Sequence, residues 1–209
     1  PELKGFPESE LGAVPTTEYQ SFKTVGMQSP APSTRQAELG SGDFVTFDLG
    51  VNLTGFMGAE IACREPTRVW LVFDEILRDG DVDALRLRCS NIVEYRLGPG
   101  DFALETIEPY TLRYLKIIAV EGSCQIKRAY LREYSHPPVA ARFNASDPRL
   151  NKLFAAAVQT FRQNAVDIFM DCPSRERAGW LCDSFFTART ESILTGGSPV
   201  ERNFIENFL

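Results

Sequence analysis

The stretch DCPSRERAGWLCD, residues 171–183, gathers Asp171, Glu176 and Asp183 with Arg175, Arg177 and Trp180 in thirteen positions. Carboxyls hold and release protons and accept hydroxyl hydrogens. Guanidinium groups donate to oxygens in a fixed fork. An indole adds a broad apolar face with a polar edge. A sugar ring offers the matching surfaces, with hydroxyls around its edge and C–H groups on its faces. Acids and arginines beside a Trp therefore suit a carbohydrate site. Breaking a glycosidic bond further requires a carboxylic acid that protonates the departing oxygen. The competing reading is an Arg–carboxylate network that only fixes a loop. One physical objection bears on Glu176 in particular. Arg175 and Arg177 flank it, and neighbouring cations favour the ionised carboxylate, whereas an acid catalyst must hold its proton.

Other chemistries are disfavoured. His136, in SHPP, is the single histidine, so triads and His-rich metal sites have little to work with. The five cysteines form no CxxC pair, and buried free thiols are expected. The sequence thus calls for carboxylate chemistry with no metal and no cofactor. A net charge of −6 argues against a nucleic-acid surface. No apolar run is long enough for a membrane span. The opening PELKGFPESE lacks the basic and apolar regions of a leader peptide. Asn52-Leu53-Thr54 and Asn144-Ala145-Ser146 fit the glycosylation sequon, a pattern that recurs by chance.

The elements that must position the charged segment follow from periodicity. Residues 1–42 are rich in Pro, Ser, Thr and Gly and read as an extended lead-in. Residues 43–136 switch to β runs: FVTFDL (44–49), RVWLVF (68–73), NIVEYRL (91–97), RYLKIIAV (113–120) and QIKRAYLREY (125–134). Turns are expected at Gly50–Gly58, RDGDVD, GPGD and EGS between them. This spacing predicts an antiparallel β-sandwich. SHPPVAARF is a joint, and residues 137–209 are helical. Asp147 and Pro148 open the first helix, whose stripe is Leu150, Leu153, Phe154, Ala157, Val158, Phe161 and Ala165. A second helix runs over about 182–195 and ends at Gly196-Gly197. Ser198-Pro199-Val200-Glu201 is a capping-box pattern for a third. That helix carries Val200, Phe204, Ile205, Phe208 and Leu209 with no stop signal, so the chain reads as the N-terminal piece of a longer, mostly helical protein.

DCPSRERAGW closely resembles the signature of the bacterial α-L-rhamnosidase family of glycoside hydrolases. FDLGVNLTGFMG, VFDEILRDGDVD, ETIEPYTLRYLKI and FNASDPRLNKLFAAAVQTFRQN resemble further segments of that family, in the same order. The resemblance implies a multidomain protein, an antiparallel β-sandwich followed by the first helices of a truncated (α/α)6 toroid. It implies inverting hydrolysis of terminal α-L-rhamnosides. Carried over, Glu176 falls on the general acid, Asp171 and Asp183 on acids that hold sugar hydroxyls, Arg175 on an arginine of the motif, and Trp180 on the aromatic wall. The family's general base is a Glu far downstream, which no position here matches. The implied partner is a carbohydrate substrate, with the rest of the toroid missing from this chain, and a periplasmic or secreted location is favoured over the cytoplasm. Cys182 replaces the family's usual Gly, and Ser184-Phe185 follow Asp183. A related deoxysugar or uronic-acid glycoside stays open as substrate, and so does a non-catalytic carbohydrate-binding module.

Overall fold

The computed structural model describes residues 31–32 and 35–209, so most of the expected lead-in lies outside the described residues. Among the described residues ten strands come first: β1 (Ala31–Pro32), β2 (Ala37–Leu39), β3 (Phe44–Cys63), β4 (Thr67–Asp74), β5 (Leu77–Arg78), β6 (Asp81–Val82), β7 (Ile92–Leu97), β8 (Gly100–Glu105), β9 (Tyr110–Glu121) and β10 (Cys124–Glu133). Three helices follow: α1 (Pro148–Asn164), α2 (Leu181–Thr195) and α3 (Pro199–Glu206).

The long β3 serves both layers. Its first part pairs with β9, from Phe44↔Ile118 to Asp48↔Tyr114. Its last part lies between β10 and β8, with Cys63 opposite Cys124 on one side and Gly100 on the other. β4 and β7 extend the β9 layer, and β2 lines the outer edge of β10. Alternation along β4 then fixes two apolar clusters. Val69, Leu71 and Phe73 join Phe47, Leu115, Ile117 and Ile126 between the layers. Trp70 and Val72 face the other way and are covered by Val82 and Ala84. On that outer face the buried Lys116 ammonium bonds both oxygens of Asp81, at 3.0 and 2.9 Å.

The turn expected over Gly50–Gly58 is absent, because β3 runs through it. Gly50, at φ +84°, sits in the register slip between Asp48 and Leu53. Two later glycines serve close approach. A Cβ on Gly55 would lie 2.3 Å from the Arg132 carbonyl, and one on Gly58 would lie 2.0 Å from the Tyr130 ring. The expected GPGD turn is likewise shorter, since β8 already starts at Gly100.

Asp147 caps α1 as expected, its carboxylate accepting from Arg149 N–H at 2.9 Å. Gly196, left-handed at φ +76°, ends α2. The capping box at Ser198 does not form, as that side chain makes no cap bond. The buried Glu191 of α2 does the work instead, accepting from Val200 N–H at 2.9 Å and Glu201 N–H at 3.1 Å. A full carboxylate at the helix N-terminus offsets the macrodipole better than a hydroxyl. Nor does the third helix run on: it ends at Glu206, with Asn207 as C-cap.

The helices bury Phe161, Ala165, Phe169, Ala188, Leu194, Val200 and Phe204 together. The start of the α1 stripe is open, for Leu150 and Leu153 are exposed, as are Phe185, Phe186 and Ile193 of α2, while Phe154 and Val158 pack partly buried against this cluster. Among the described residues no helix is long and apolar enough to cross a membrane. The joint is no loose linker at His136. That residue is buried, its Nδ1 lies 2.8 Å from the Pro137 carbonyl, and its Nε2 lies 3.7 Å from Glu191. Its backbone N–H donates to the Arg162 carbonyl, and Thr54 Oγ1 donates to that of Gln163. Helix α1 is thereby fixed to the sandwich.

Candidate active site

The segment between α1 and α2 is held from both ends. Ala165 and Phe169 pair across a short bridge, and Phe169 packs against Phe204 at 6.0 Å between centroids. Pro173 bars helix through the segment, and residues 173–176 form a turn. Asp171 closes it. Its N–H donates to the Ala178 carbonyl, and its Oδ1 accepts from Ala178 N–H, both at 2.9 Å. Its Oδ2 lies 3.6 Å from the Cys172 thiol, which in turn receives Glu176 N–H at 3.4 Å. The Asp171 carboxylate is thus already engaged within the loop.

Glu176 and Trp180 are brought together. The indole N–H donates to Glu176 Oε2 at 3.0 Å, and both side chains are open to solvent on their other sides. Arg175 approaches the other carboxylate oxygen at 3.7 Å. Trp180 is also the N-cap residue of α2, which fixes the indole by the helix start. Asp183 lies in the first turn of α2, exposed, and its side chain makes no hydrogen bond among the described residues. The helix N-terminus stabilises an anion at that position. Two exposed acids therefore bracket an exposed indole, an arrangement able to take ring hydroxyls and a C–H face.

Arg177 answers half of the objection raised by the two flanking cations. Its backbone is left-handed, φ 51°, which sends the side chain away from Glu176. Its Nη1 donates to the Pro109 carbonyl at 2.8 Å and its Nη2 to Glu108 at 3.2 Å. The guanidinium also covers the Tyr110 ring at 4.7 Å. Its charge is therefore spent on the sandwich. Burial pushes the Tyr110 hydroxyl above its ordinary range, with Glu108 adding to the effect.

Sequence reasoning missed Glu108, Pro109 and Tyr110 as partners of this loop. It also missed why Gly179 is a glycine: a Cβ there would lie 2.4 Å from the Phe204 ring. The signal in the sequence is the segment ETIEPYTLRYLKI, which enters above only as a resemblance to a family segment.

Known proteins resemble this chain in sequence and fold. Residues 138–209 match a family described as the bacterial alpha-L-rhamnosidase 6 hairpin glycosidase domain. An alpha-L-rhamnosidase of Alteromonas sp. (strain LOR) is 28% identical over 151 residues, covering 69% of this chain and 16% of that protein. The GH78 family rhamnosidase of Bacillus sp. GL1 superposes with a TM-score of 0.65 at 26% identity, over 83% of this chain and 18% of that one. A rhamnosidase from Klebsiella oxytoca with rhamnose bound superposes at 0.64, over 80% of this chain and 36% of that one, and at 21% identity shows the fold alone. The chain thus spans about a sixth of the length of the curated relative. Residues 138–209 thus match the bacterial alpha-L-rhamnosidase 6 hairpin glycosidase domain, and the chain as a whole is similar to rhamnosidases in sequence and fold.

Proposed function

We propose that these residues are the sandwich and acid-bearing part of an inverting glycoside hydrolase that removes terminal α-L-rhamnosyl units. Residues 43–136 are the sandwich, and residues 137–209 belong to the helical catalytic domain. One observation carries the reading: within the signature loop the carboxyl of Glu176 meets the exposed indole of Trp180 at 3.0 Å.

In this reading the sugar rests its C–H face on Trp180, and Asp183, Arg175 and any free lone pair of Asp171 take its hydroxyls. Glu176 gives its proton to the glycosidic oxygen as the bond from that oxygen to the anomeric carbon breaks. Water attacks that carbon from the opposite face, and its proton passes to a second carboxylate. Such a pair stands about 6.5–9.5 Å apart in inverting enzymes. The second carboxylate is a residue outside these 209, so the isolated chain should not turn over substrate.

The test is Glu176→Gln in the full-length protein, assayed on an aryl α-L-rhamnoside. Turnover should collapse by roughly 10²–10⁴-fold with sugar binding largely retained. A variant that hydrolyses normally, or clear turnover by the 209-residue chain alone, would overturn the reading. Loss of binding with no turnover at the outset would instead favour a carbohydrate-binding module.

A further inference from the structure

Cys63 is the last residue of β3 and Cys124 the first of β10, and the antiparallel register sets them directly opposite each other. Ala62↔Gln125 and Ile61↔Ile126 continue the same register, so the pairing at this end of the sheet is regular. Directly opposed residues of an antiparallel pair point to one face, with Cα atoms roughly 4.5–5.5 Å apart. A disulfide spans Cα separations of about 4.4–6.8 Å, which covers that whole range. The register thus brings the two sulfurs within bonding reach, and any small adjustment falls on strand ends. Both side chains are buried, at 5% and 4% exposure, in the apolar cluster between the layers, together with Ile61 and Ile126. The other three cysteines, Cys89, Cys172 and Cys182, lie outside the strands. All five are thiols in this structure.

We propose that Cys63 and Cys124 are a modification site, a facing pair that an external disulfide oxidises to a cross-strand bond. The thiolate of one cysteine attacks a sulfur of the oxidant's disulfide and expels one thiolate. The thiolate of the other then attacks the mixed disulfide and expels the second. The bond between the two chain sulfurs forms and the oxidant's S–S bond breaks. Two electrons pass to the oxidant, and the two thiol protons end on its released sulfurs. Only thiolates attack, and burial makes them scarce here. It pushes the Cys124 thiol up to about 12, with Cys63 adding to the effect, and raises Cys63 as well. The bond therefore forms fastest during folding, before the cluster closes over the sulfurs. Once made, it closes a ring over residues 64–123, which contains every strand from β4 to β9. A ring of that length removes much freedom from the unfolded chain, and β3 and β10 gain a covalent tie at one end.

The experiment refolds the reduced full-length protein in a mixture of oxidised and reduced glutathione, then digests it with trypsin without reduction. Peptides 36–64 and 117–127 should leave the digest joined, two hydrogens lighter than their sum. Hydrogen exchange of β3 and β9 over a urea series should place the midpoint of the oxidised sandwich higher than that of the reduced one, by about 1 M. Cys63→Ala should lose the joined peptides and the midpoint difference together. Cys124→Ala makes the same comparison if the first variant misfolds, and the wild-type difference stands without either. Refolded protein whose Cys63 and Cys124 stay free, carry only glutathione or join other cysteines would overturn the proposal. So would a linked form that melts at lower urea than the reduced one, since the bond would then distort the sheet.

Discussion

The indole of Trp180 and the carboxylate of Glu176 are four residues apart and joined by one hydrogen bond of 3.0 Å, immediately before α2. The bond aims a carboxylate that Arg175 also approaches, at 3.7 Å, on a residue whose backbone N–H donates to the Cys172 thiol. It also gives each group a reporter in the other. The chain has two tryptophans, and Trp70 is buried on Glu94. In Glu176→Gln the Trp180 indole N–H resonance should shift upfield, because a neutral amide oxygen is a weaker acceptor than a carboxylate. Glu176→Leu, which offers no acceptor, should move it further. A signal that both substitutions leave in place would mean that the bond is not formed in solution.

Arg177 ties the acid's loop to the sandwich at a backbone cost. Its left-handed φ of 51° costs about 1–2 kcal/mol for a residue with a Cβ. Its ion pair with Glu108 joins partly exposed side chains and contributes only about 0.2–1 kcal/mol. Arg177→Gly removes pins and strain together, so global stability should change little. Arg177→Ala keeps the strain and should lose about 1 kcal/mol. Amide exchange at Arg177 and Ala178 should quicken in both variants, since these N–H groups close the loop. Unchanged protection there, in chemical denaturation and exchange measured side by side, would show that the loop orders itself without the sandwich.

Glu191 and Ser198 offer a direct contrast at the start of α3. Glu191 is fully buried and takes two of the helix's unpaired N–H groups, whereas Ser198 takes none. Glu191→Ala strands both donors next to His136 and should cost about 1–3 kcal/mol. Ser198→Ala should stay within about 0.5 kcal/mol. Urea melts of the two variants check the pair. Equal effects would mean that the local serine, not the distant carboxylate, caps this helix.

What the sequence discloses here is what is written locally. The motif around Glu176 and Trp180 is short, and its partners lie within a few residues, so the pairing of acid and indole was legible. So were Asp147 as a cap and Gly196 as a stop, each acting on its own helix end. Gly55 and Gly58 misled, because a glycine that admits Arg132 or Tyr130 from the neighbouring strand has the composition of a turn. Glu191, Glu108 and Gly179 were illegible for the same physical reason. Each acts on a residue that the fold brings in from elsewhere: Val200 across the connection from α2 to α3, Arg177 across 69 positions, and Phe204 from α3.

Glu94 sets the acid limit of the sandwich. Burial alone would raise its carboxyl. The Trp70 indole at 2.8 Å, Arg96 at 2.8 Å and Arg68 at 2.7 Å outweigh that and hold it at about 2, against an ordinary 4.5. A carboxyl depressed in the folded state contributes stability above its unfolded pKa and loses it as pH falls through the folded one. The contribution should therefore be complete above about 4.5 and fade between 4.5 and about 2. Its size is at most about 3.4 kcal/mol, at 1.36 kcal/mol per unit. Glu94→Gln keeps an acceptor for the indole but carries no charge. It should be less stable than wild type at neutral pH by roughly 1–3 kcal/mol and should show a flatter acid limb over that window. Trp70 fluorescence, followed through urea melts at a series of pH values, reads both effects. A variant whose stability runs parallel to wild type through the acid range would remove Glu94 as the cause.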